Sequence, residues 1–267
     1  MTHLVMAFFL VLFLPLQAVE WKIHRSDIYP GTIRQFAVHV TPGVDPQKPA
    51  ALMVFQDGHA YVGGDFKAPA VVDELVKKRK LPPMVLVFVN PGVFAEELKG
   101  EPGWNLPKEA KSNRSVEYDT LSAQYVTMLE KEILPQVEKL QLLSKDPRQR
   151  AICGLSSGGI CAFTAAWERA DLFGKVMSHC GSFTNIRGGH VYPALVRQQP
   201  KRAIRVFLQD GRNDLDNQYG HWFLANQQMA AALKFRQYDS RFVIDDTSHG
   251  GKGGGKILAE SLIWLWR

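Results

Sequence analysis

Residues 151–163, AICGLSSGGICAF, place a serine among glycines where a short apolar run gives way to a helical pattern. Residues 154–158 read G-x-S-x-G, the motif of a nucleophilic serine on a sharp strand-to-helix turn. Glycines are needed there because the turn packs closely against neighbouring strands. The motif predicts an α/β fold in which ligands bind beyond the carboxyl ends of the strands.

The frame of the motif distinguishes the two adjacent serines. Ser156 stands between Gly154 and Gly158, whereas a frame shifted by one would need glycine at position 155, which is leucine. We expect Ser156 to be the nucleophile and Ser157 to supply a backbone N–H for an oxyanion. A glycine-rich turn without chemistry is the alternative interpretation.

Working outward, short apolar runs bounded by turn residues predict strands whose two faces are both covered. They are residues 51–56, 83–89, 150–153, 175–180, 204–209 and 240–245. Two earlier segments, 21–29 and 34–42, alternate better and predict an antiparallel hairpin at one edge. Helical patterns cover residues 69–79, 118–140 (with a kink expected at Pro135), 157–170, 219–233 and 256–264. The alternation predicts a mostly parallel sheet with helices on both faces.

Composition and charge limit the remaining possibilities. The 267 residues are 46% hydrophobic and carry a net charge of +6 without a basic block, which favours a solvated surface over a nucleic-acid site. An apolar run over residues 4–16 predicts a signal peptide (1–18), cleavage after Ala18 and export, followed by one domain over 19–267 without a stable membrane span. An uncleaved anchor and a buried first strand are the alternatives.

Three cysteines, Cys153, Cys161 and Cys180, show neither CxxC nor Cys/His ligand spacing. We therefore expect no metal and no cofactor, and we interpret these residues as small buried side chains. A disulfide between Cys153 and Cys180 stays open, because both end predicted strands.

A nucleophilic serine needs a base and an orienting carboxylate. His249 follows the last predicted strand and falls on the same sheet edge as Ser156. For the acid we favour Asp214, with Asp216 as the alternative. The chain order Ser, Asp, His is that of α/β-hydrolases.

Two loops complete the predicted site. The turn after the 51–56 strand is expected to give a second oxyanion N–H from Gly58, His59 or Ala60. The long polar segment 90–116 is expected to form a wall of a cleft. The aromatic side chains Trp104, Tyr219 and Trp222 flank the site in sequence and are candidate stacking surfaces, although core packing is favoured for Trp222.

Several segments together resemble the putative-esterase family of α/β-hydrolases, which includes enterochelin esterases, esterase D, and feruloyl and acetylxylan esterases. The resemblance rests on VFQDGHAY, NRSVEYDTLSAQYVTMLEKEILPQVEK, GLSSGG, FLQDGRNDLDN and SHGGKGGGKILAESLIWLWR. GSFTNIRGGHVYP and LANQQMAAAL look most like the esterase-like domains of exported planctomycete-type bacterial proteins.

This resemblance implies an α/β-hydrolase fold and a serine esterase with Ser156, Asp214 and His249. It also implies an oxyanion loop over 57–60, which includes Asp57, and pocket roles for Arg114 and Glu117. The expected substrate is a small-molecule or polysaccharide ester, with carbohydrate-linked acetyl or feruloyl esters first. An acyltransferase, a siderophore-type esterase and a non-catalytic binding protein are the alternatives.

Overall fold

The computed structural model describes residues 19–267, so the predicted signal peptide (1–18) lies outside the described residues. Strands form at each of the short apolar runs, where β-branched and aromatic side chains favour extended backbone. The strands are β1 (Trp21–Arg25), β2 (Thr32–Val40), β3 (Ala51–Gln56), β4 (Met84–Val89), β5 (Val93–Phe94), β6 (Lys111–Ser112), β7 (Arg150–Leu155), β8 (Lys175–His179), β9 (Arg205–Asn213), β10 (Asp216–Asn217), β11 (Gly220–His221) and β12 (Ser240–Ser248).

Ten of these strands form one sheet, in the order β12-β9-β8-β7-β3-β4-β2-β5-β6 with β1 paired to β2. The pairings from β12 through β4 are all parallel. β2 runs antiparallel to β4 and to β1. The predicted mostly parallel sheet with an antiparallel N-terminal edge is therefore confirmed.

Helices cover both faces of the sheet. They are α1 (Gly58–Val62), α2 (Ala68–Lys77), α3 (Arg114–Asp119), α4 (Gln124–Met128), α5 (Leu134–Glu138), α6 (Ser157–Glu168), α7 (Tyr192–Gln198), α8 (Trp222–Phe235), α9 (Gly251–Lys256) and α10 (Leu258–Trp266). Successive residues of β3 enter different cores, because side chains alternate along a strand. Leu52 and Val54 pack on the side of α3 to α8, and Met53 and Phe55 pack on the side of α1, α2 and α10.

The predicted helix over 118–140 is wrong in its continuity. α3 ends at Asp119, and after a break the chain runs through α4, a π-helical turn (Leu129–Ile133) and α5. The N–H of Leu134 donates to the carbonyl of Leu129, five residues earlier. Pro135 explains the wide turn, because proline has no N–H and its ring clashes with the carbonyl four residues before it.

Two further predictions concern membrane and disulfide chemistry. Within residues 19–267, no helix is long and apolar enough to cross a membrane. Cys153, Cys161 and Cys180 are all buried and carry free thiols, so the open possibility of a disulfide between Cys153 and Cys180 is not realised.

Candidate active site

Ser156 stands at the turn between β7 and α6, with a backbone φ of 56° and ψ of −124°. A positive φ is strained for a residue with a side chain, so the surrounding packing must hold it in place. Gly154 provides part of that packing, because a Cβ added there would lie 2.1 Å from the carbonyl oxygen of Gly158. The turn thus aims the Ser156 hydroxyl out of the carboxyl edge of the sheet.

Two loops from neighbouring strands meet this hydroxyl. His249 follows β12, and its Nε2 lies 2.8 Å from Ser156 Oγ. Asp214 follows β9, and its Oδ1 lies 2.6 Å from His249 Nδ1. Asp216, the alternative acid, is exposed in β10. The structure therefore brings together Ser156, His249 and Asp214.

The hydrogen bonds determine which atoms carry protons in the relay formed by Ser156, His249 and Asp214. Asp214 accepts from His249 Nδ1–H, which leaves Nε2 free to accept the Ser156 hydroxyl proton. Burial opposes ionisation of Asp214, but hydrogen bonds from His249 and from Asp210 hold the pKa of Asp214 below its usual value. An ionised Asp214 can stabilise the imidazolium that forms when His249 takes a proton.

A thiol lies beside the relay. Ligand atoms of Cys180, Asp214 and His249 all fall within 4.8 Å of one another, a spacing that a metal ion can use. His249 and Asp214 already satisfy each other, however, and burial raises the pKa of the Cys180 thiol to about 12. The donor set therefore fits a hydrogen-bonded relay better than a metal centre, which needs the thiolate.

The predicted oxyanion donors differ in their availability. The N–H of His59 donates to Asn90 Oδ1 at 3.0 Å, and the N–H of Ala60 donates to the carbonyl of Asp57 at 2.8 Å. These two donors are already occupied because the chain enters α1 at once, which corrects that part of the prediction. Among the described residues, the N–H groups of Ser157 and Gly58 have no acceptor and remain candidates.

Arg114 is partly exposed at the cleft, whereas Asp57 lies behind it at the wall of the smaller cavity without exposed surface. Asp57 is fully buried and accepts two bonds from Arg114, Nε to Oδ1 at 2.8 Å and Nη2 to Oδ2 at 2.7 Å. Its carboxylate is therefore a fixed partner of the guanidinium and not a substrate contact, which corrects the prediction for Asp57. The guanidinium also lies over the Trp104 ring, 5.6 Å from its centre.

Two neighbouring cavities open on this side of the sheet. One of about 350 Å³ lies beside Ser156 and His249, and one of about 130 Å³ lies under residues 98–107 of the predicted cleft wall. Trp104 and Arg114 line both cavities. Trp104 is 57% exposed, so much of its side chain is accessible to a ligand.

Glu117 is not a pocket residue. It lines neither cavity, and its carboxylate binds Arg34 at 2.7 Å with both side chains fully buried. The same carboxylate accepts from the N–H of Gly92 and from Asn113. Glu117 therefore braces the cleft wall from behind, which corrects its predicted role.

The two remaining aromatic candidates, Tyr219 and Trp222, differ in their exposure. Tyr219 is 42% exposed in the β10–β11 hairpin and lines neither of the two cavities. Trp222 is buried, as favoured from the sequence, and packs edge-on against His249 with ring centres 5.9 Å apart. Its indole N–H donates to Ser182 Oγ at 3.0 Å.

Ser182 is a site residue that the sequence analysis missed. Its Oγ lies 3.3 Å from Ser156 Oγ, and it follows β8, the strand next to β7. The rule that parallel strands end at one edge could have found it, because Ser182 lies just beyond the end of an apolar run. Asn90, which orients His59, follows β4 at the same edge.

Comparison with known proteins identifies the family. A family model described as "Putative esterase" matches residues 30–251. A curated relative, the uncharacterized protein YbbA of Bacillus subtilis (strain 168), is 22% identical over 151 residues, which cover 56% of this chain and 57% of that protein.

Solved structures show the same fold at low identity. An enterochelin esterase from Shigella flexneri superposes with a TM-score of 0.73 and 23% identity, over 95% of this chain and 59% of that one. A ferulic acid esterase superposes with a TM-score of 0.67 and 18% identity, over 93% of this chain and 97% of that one. The chain thus spans less than three fifths of the length of YbbA and of the enterochelin esterase.

Proposed function

The chain belongs to the putative-esterase family, and we propose that it is a serine ester hydrolase whose triad is Ser156, His249 and Asp214. The observation that carries the proposal is the continuous relay from Ser156 Oγ through His249 to Asp214, on a strained turn at the carboxyl edge of the sheet. Nucleophile, base and orienting acid in hydrogen-bonding contact are the geometric signature of acyl transfer through a covalent intermediate.

The proposed reaction has two steps. Ser156 Oγ attacks the ester carbonyl carbon while His249 Nε2 accepts the hydroxyl proton, and the imidazolium then gives that proton to the departing alcohol oxygen. Water next attacks the acyl-serine and loses a proton to His249, which returns it to Ser156 as the acid is released. Asp214 stays ionised throughout and stabilises the imidazolium.

Backbone donors complete the site. The free N–H of Ser157 begins α6 beside the nucleophile, where the negative oxygen of the tetrahedral intermediate develops. Gly58 is the proposed second donor, because the N–H groups of its neighbours His59 and Ala60 are engaged within the protein.

The proposed substrates are carbohydrate-linked acetyl or feruloyl esters. An exposed Trp104 beside the nucleophile offers a flat apolar surface for a ring, and Arg114 offers a donor at the boundary of the two cavities. Two fold neighbours are named as an enterochelin esterase and a ferulic acid esterase, so a siderophore ester and a ferulate ester are also worth testing as substrates.

A panel of esters tests this proposal: p-nitrophenyl acyl esters, methyl ferulate, acetylated xylan and a siderophore ester. We expect hydrolysis of at least the short activated esters, abolished in Ser156→Ala and retained in the neighbouring Ser157→Ala. Activity in Ser156→Ala equal to the wild type would contradict the proposal. Product analysis with an added polyol distinguishes water from an alcohol as the acyl acceptor.

Export is a separate part of the proposal and rests on the apolar run over residues 4–16. The expected result is a mature N-terminus at Val19 in the extracytoplasmic fraction of the source cells. Full-length protein confined to the cytoplasm would contradict it.

A further inference from the structure

Asp210 is a second buried carboxyl group at the site and has no role in the reaction described above. It lies within β9, four residues before Asp214, and is completely inaccessible to solvent. The side chain of Asp214 is also fully buried. Two carboxyl groups so close together, out of water, cannot both ionise without a large electrostatic cost.

The contacts of Asp210 are with neutral donors. Its Oδ1 accepts from the N–H of Gly211 at 2.9 Å, and its Oδ2 accepts from Asn226 Nδ2 at 2.8 Å. Asn226 is itself buried on α8 and is held by the carbonyls of Gly181 and Trp222. Within residues 19–267, no lysine, arginine or histidine pairs with Asp210, whereas Asp214 pairs with His249.

The charged and titratable groups around Asp210 are Asp214, then His249 beyond it, and the Cys180 thiol. Burial keeps the thiol protonated at neutral pH, so it adds no charge. Burial and the neighbouring Asp214 also raise the pKa of Asp210 well above its usual range. With only His249 as a source of positive charge, the pair accommodates one negative charge.

The backbone folds Asp214 back beside Asp210, because the N–H of Asp214 donates to the carbonyl of Gly211, whose own N–H donates to Asp210 Oδ1. Each carboxyl group also shifts the pKa of the other. Asp214 Oδ1 is used by His249 and by the N–H of Leu215. Asp214 Oδ2 is buried and receives no N–H donor. A protonated carboxyl of Asp210 supplies the missing donor for that oxygen, and a bond from a neutral acid to a carboxylate is among the stronger hydrogen bonds in proteins.

We propose that Asp210 is a positioning residue that remains a neutral carboxylic acid and donates its O–H to Asp214 Oδ2, fixing the Asp214 carboxylate toward His249. This proposal rests on the proposed triad. Asp210 touches neither substrate nor the reacting atoms, so it acts through Asp214. Its loss should therefore lower kcat and leave KM nearly constant.

Three variants test the donor role. Asp210→Leu removes the O–H, and we expect kcat to fall about 10- to 100-fold, the effect of one hydrogen bond to a charged group. Asp210→Asn keeps the shape and offers an N–H donor, so we expect it to restore most of the lost kcat. Asp216→Leu, at an exposed position of the same region, is the matched control.

The pH profile separates a neutral Asp210 from an ionised one. If Asp210 is neutral, Asp210→Asn removes no charge, and the acid limb of kcat/KM should stay within about 0.3 pH unit of the wild type. An ionised Asp210 would help to stabilise the imidazolium, so its replacement by asparagine would move that limb toward lower pH by about one unit or more.

An infrared difference spectrum between wild type and Asp210→Asn at pH 7 tests the protonation state without turnover. We expect the C=O stretch of a protonated carboxyl in the wild type that is missing from the variant. A difference spectrum containing only carboxylate bands, or an unchanged kcat in a folded Asp210→Leu, would overturn the proposal. Because the spectrum needs no activity, it decides the role of Asp210 even if Ser156→Ala refuted the triad.

Discussion

Replacement of Glu117 by glutamine tests whether this side chain stabilises the cleft wall or contacts the substrate. The Glu117 carboxylate accepts four hydrogen bonds, two from Arg34 at 2.7 and 3.1 Å and one each from Gly92 N–H and Asn113 Nδ2 at 3.0 Å. Glutamine has only one acceptor oxygen. Its amide N–H₂ would therefore face donors, and the buried guanidinium would lose its counter-charge.

The magnitude follows from the burial of the pair. Both side chains are 0% exposed. Removing one partner of a buried ion pair costs about 3–5 kcal/mol of unfolding free energy, which lowers Tm by about 6–20 °C in a domain of this size. We expect no change of KM, because Glu117 does not line either cavity.

Urea denaturation and steady-state hydrolysis of a short p-nitrophenyl ester, both at 25 °C, measure the two effects. Glu168→Gln, at an exposed position at the end of α6, is the matched control and should change neither. A Glu117→Gln protein with unchanged stability and a tenfold higher KM would refute the reasoning and restore Glu117 as a pocket residue.

Three further predictions concern the packing around the site. Gly158→Ala places a Cβ 2.8 Å from Asp57 Oδ2, so we expect a loss of about 1–3 kcal/mol in urea denaturation together with a lower kcat/KM. Burial lowers the pKa of His179 from 6.5 to about 3, so the unfolded chain alone gains a proton below pH 6.5. This destabilises the wild type by about 2.5 kcal/mol on going from pH 7 to 4.5. Denaturation at both pH values should show a loss of stability that is smaller by about this amount in His179→Gln. Trp222→Phe removes the donor to Ser182 Oγ, and we expect a roughly two- to tenfold lower kcat at constant KM in the ester assay.

The strand framework could be predicted because its signal is local. The apolar run over 51–56 became β3 with the same bounds, and the run over 150–153 became β7 with two added residues. Both faces of these strands are covered, so nearly all of their positions are apolar and the run is easy to recognise. The glycines and the serine that follow β7 then placed the turn without any knowledge of tertiary contacts.

The glycine-rich segment GKGGGK was harder to interpret. Helix propensity argues against a helix there, yet α9 covers Gly251–Lys256. Tertiary packing overrides propensity, because a Cβ at Gly254 would lie 2.6 Å from the ring of His179. Such a close approach leaves no pattern in the sequence.

Roles that depend on burial were also beyond the sequence. Asp57, Arg114 and Glu117 lie in segments typical of the family, but whether a carboxylate faces the cleft or a buried guanidinium is decided by the packing of distant strands. Asp210, Asp214 and Asp216 are identical residues within seven positions, and the fold alone makes them different. Asp210 is buried, Asp214 contacts His249, and Asp216 lies on an exposed strand. The sequence favoured Asp214 over Asp216 as the acid, and the structure adds which of the two contacts a histidine.

Covalent labelling tests the central claim, nucleophilic activation of Ser156, most directly. A fluorophosphonate probe reacts with a serine hydroxyl only when a base and an oxyanion site activate it. After labelling and peptide mass spectrometry, we expect the adduct on Ser156 in the wild type and in Ser157→Ala, and no adduct in Ser156→Ala or in His249→Ala. An unlabelled wild-type protein, or an adduct on Ser157, would contradict the account.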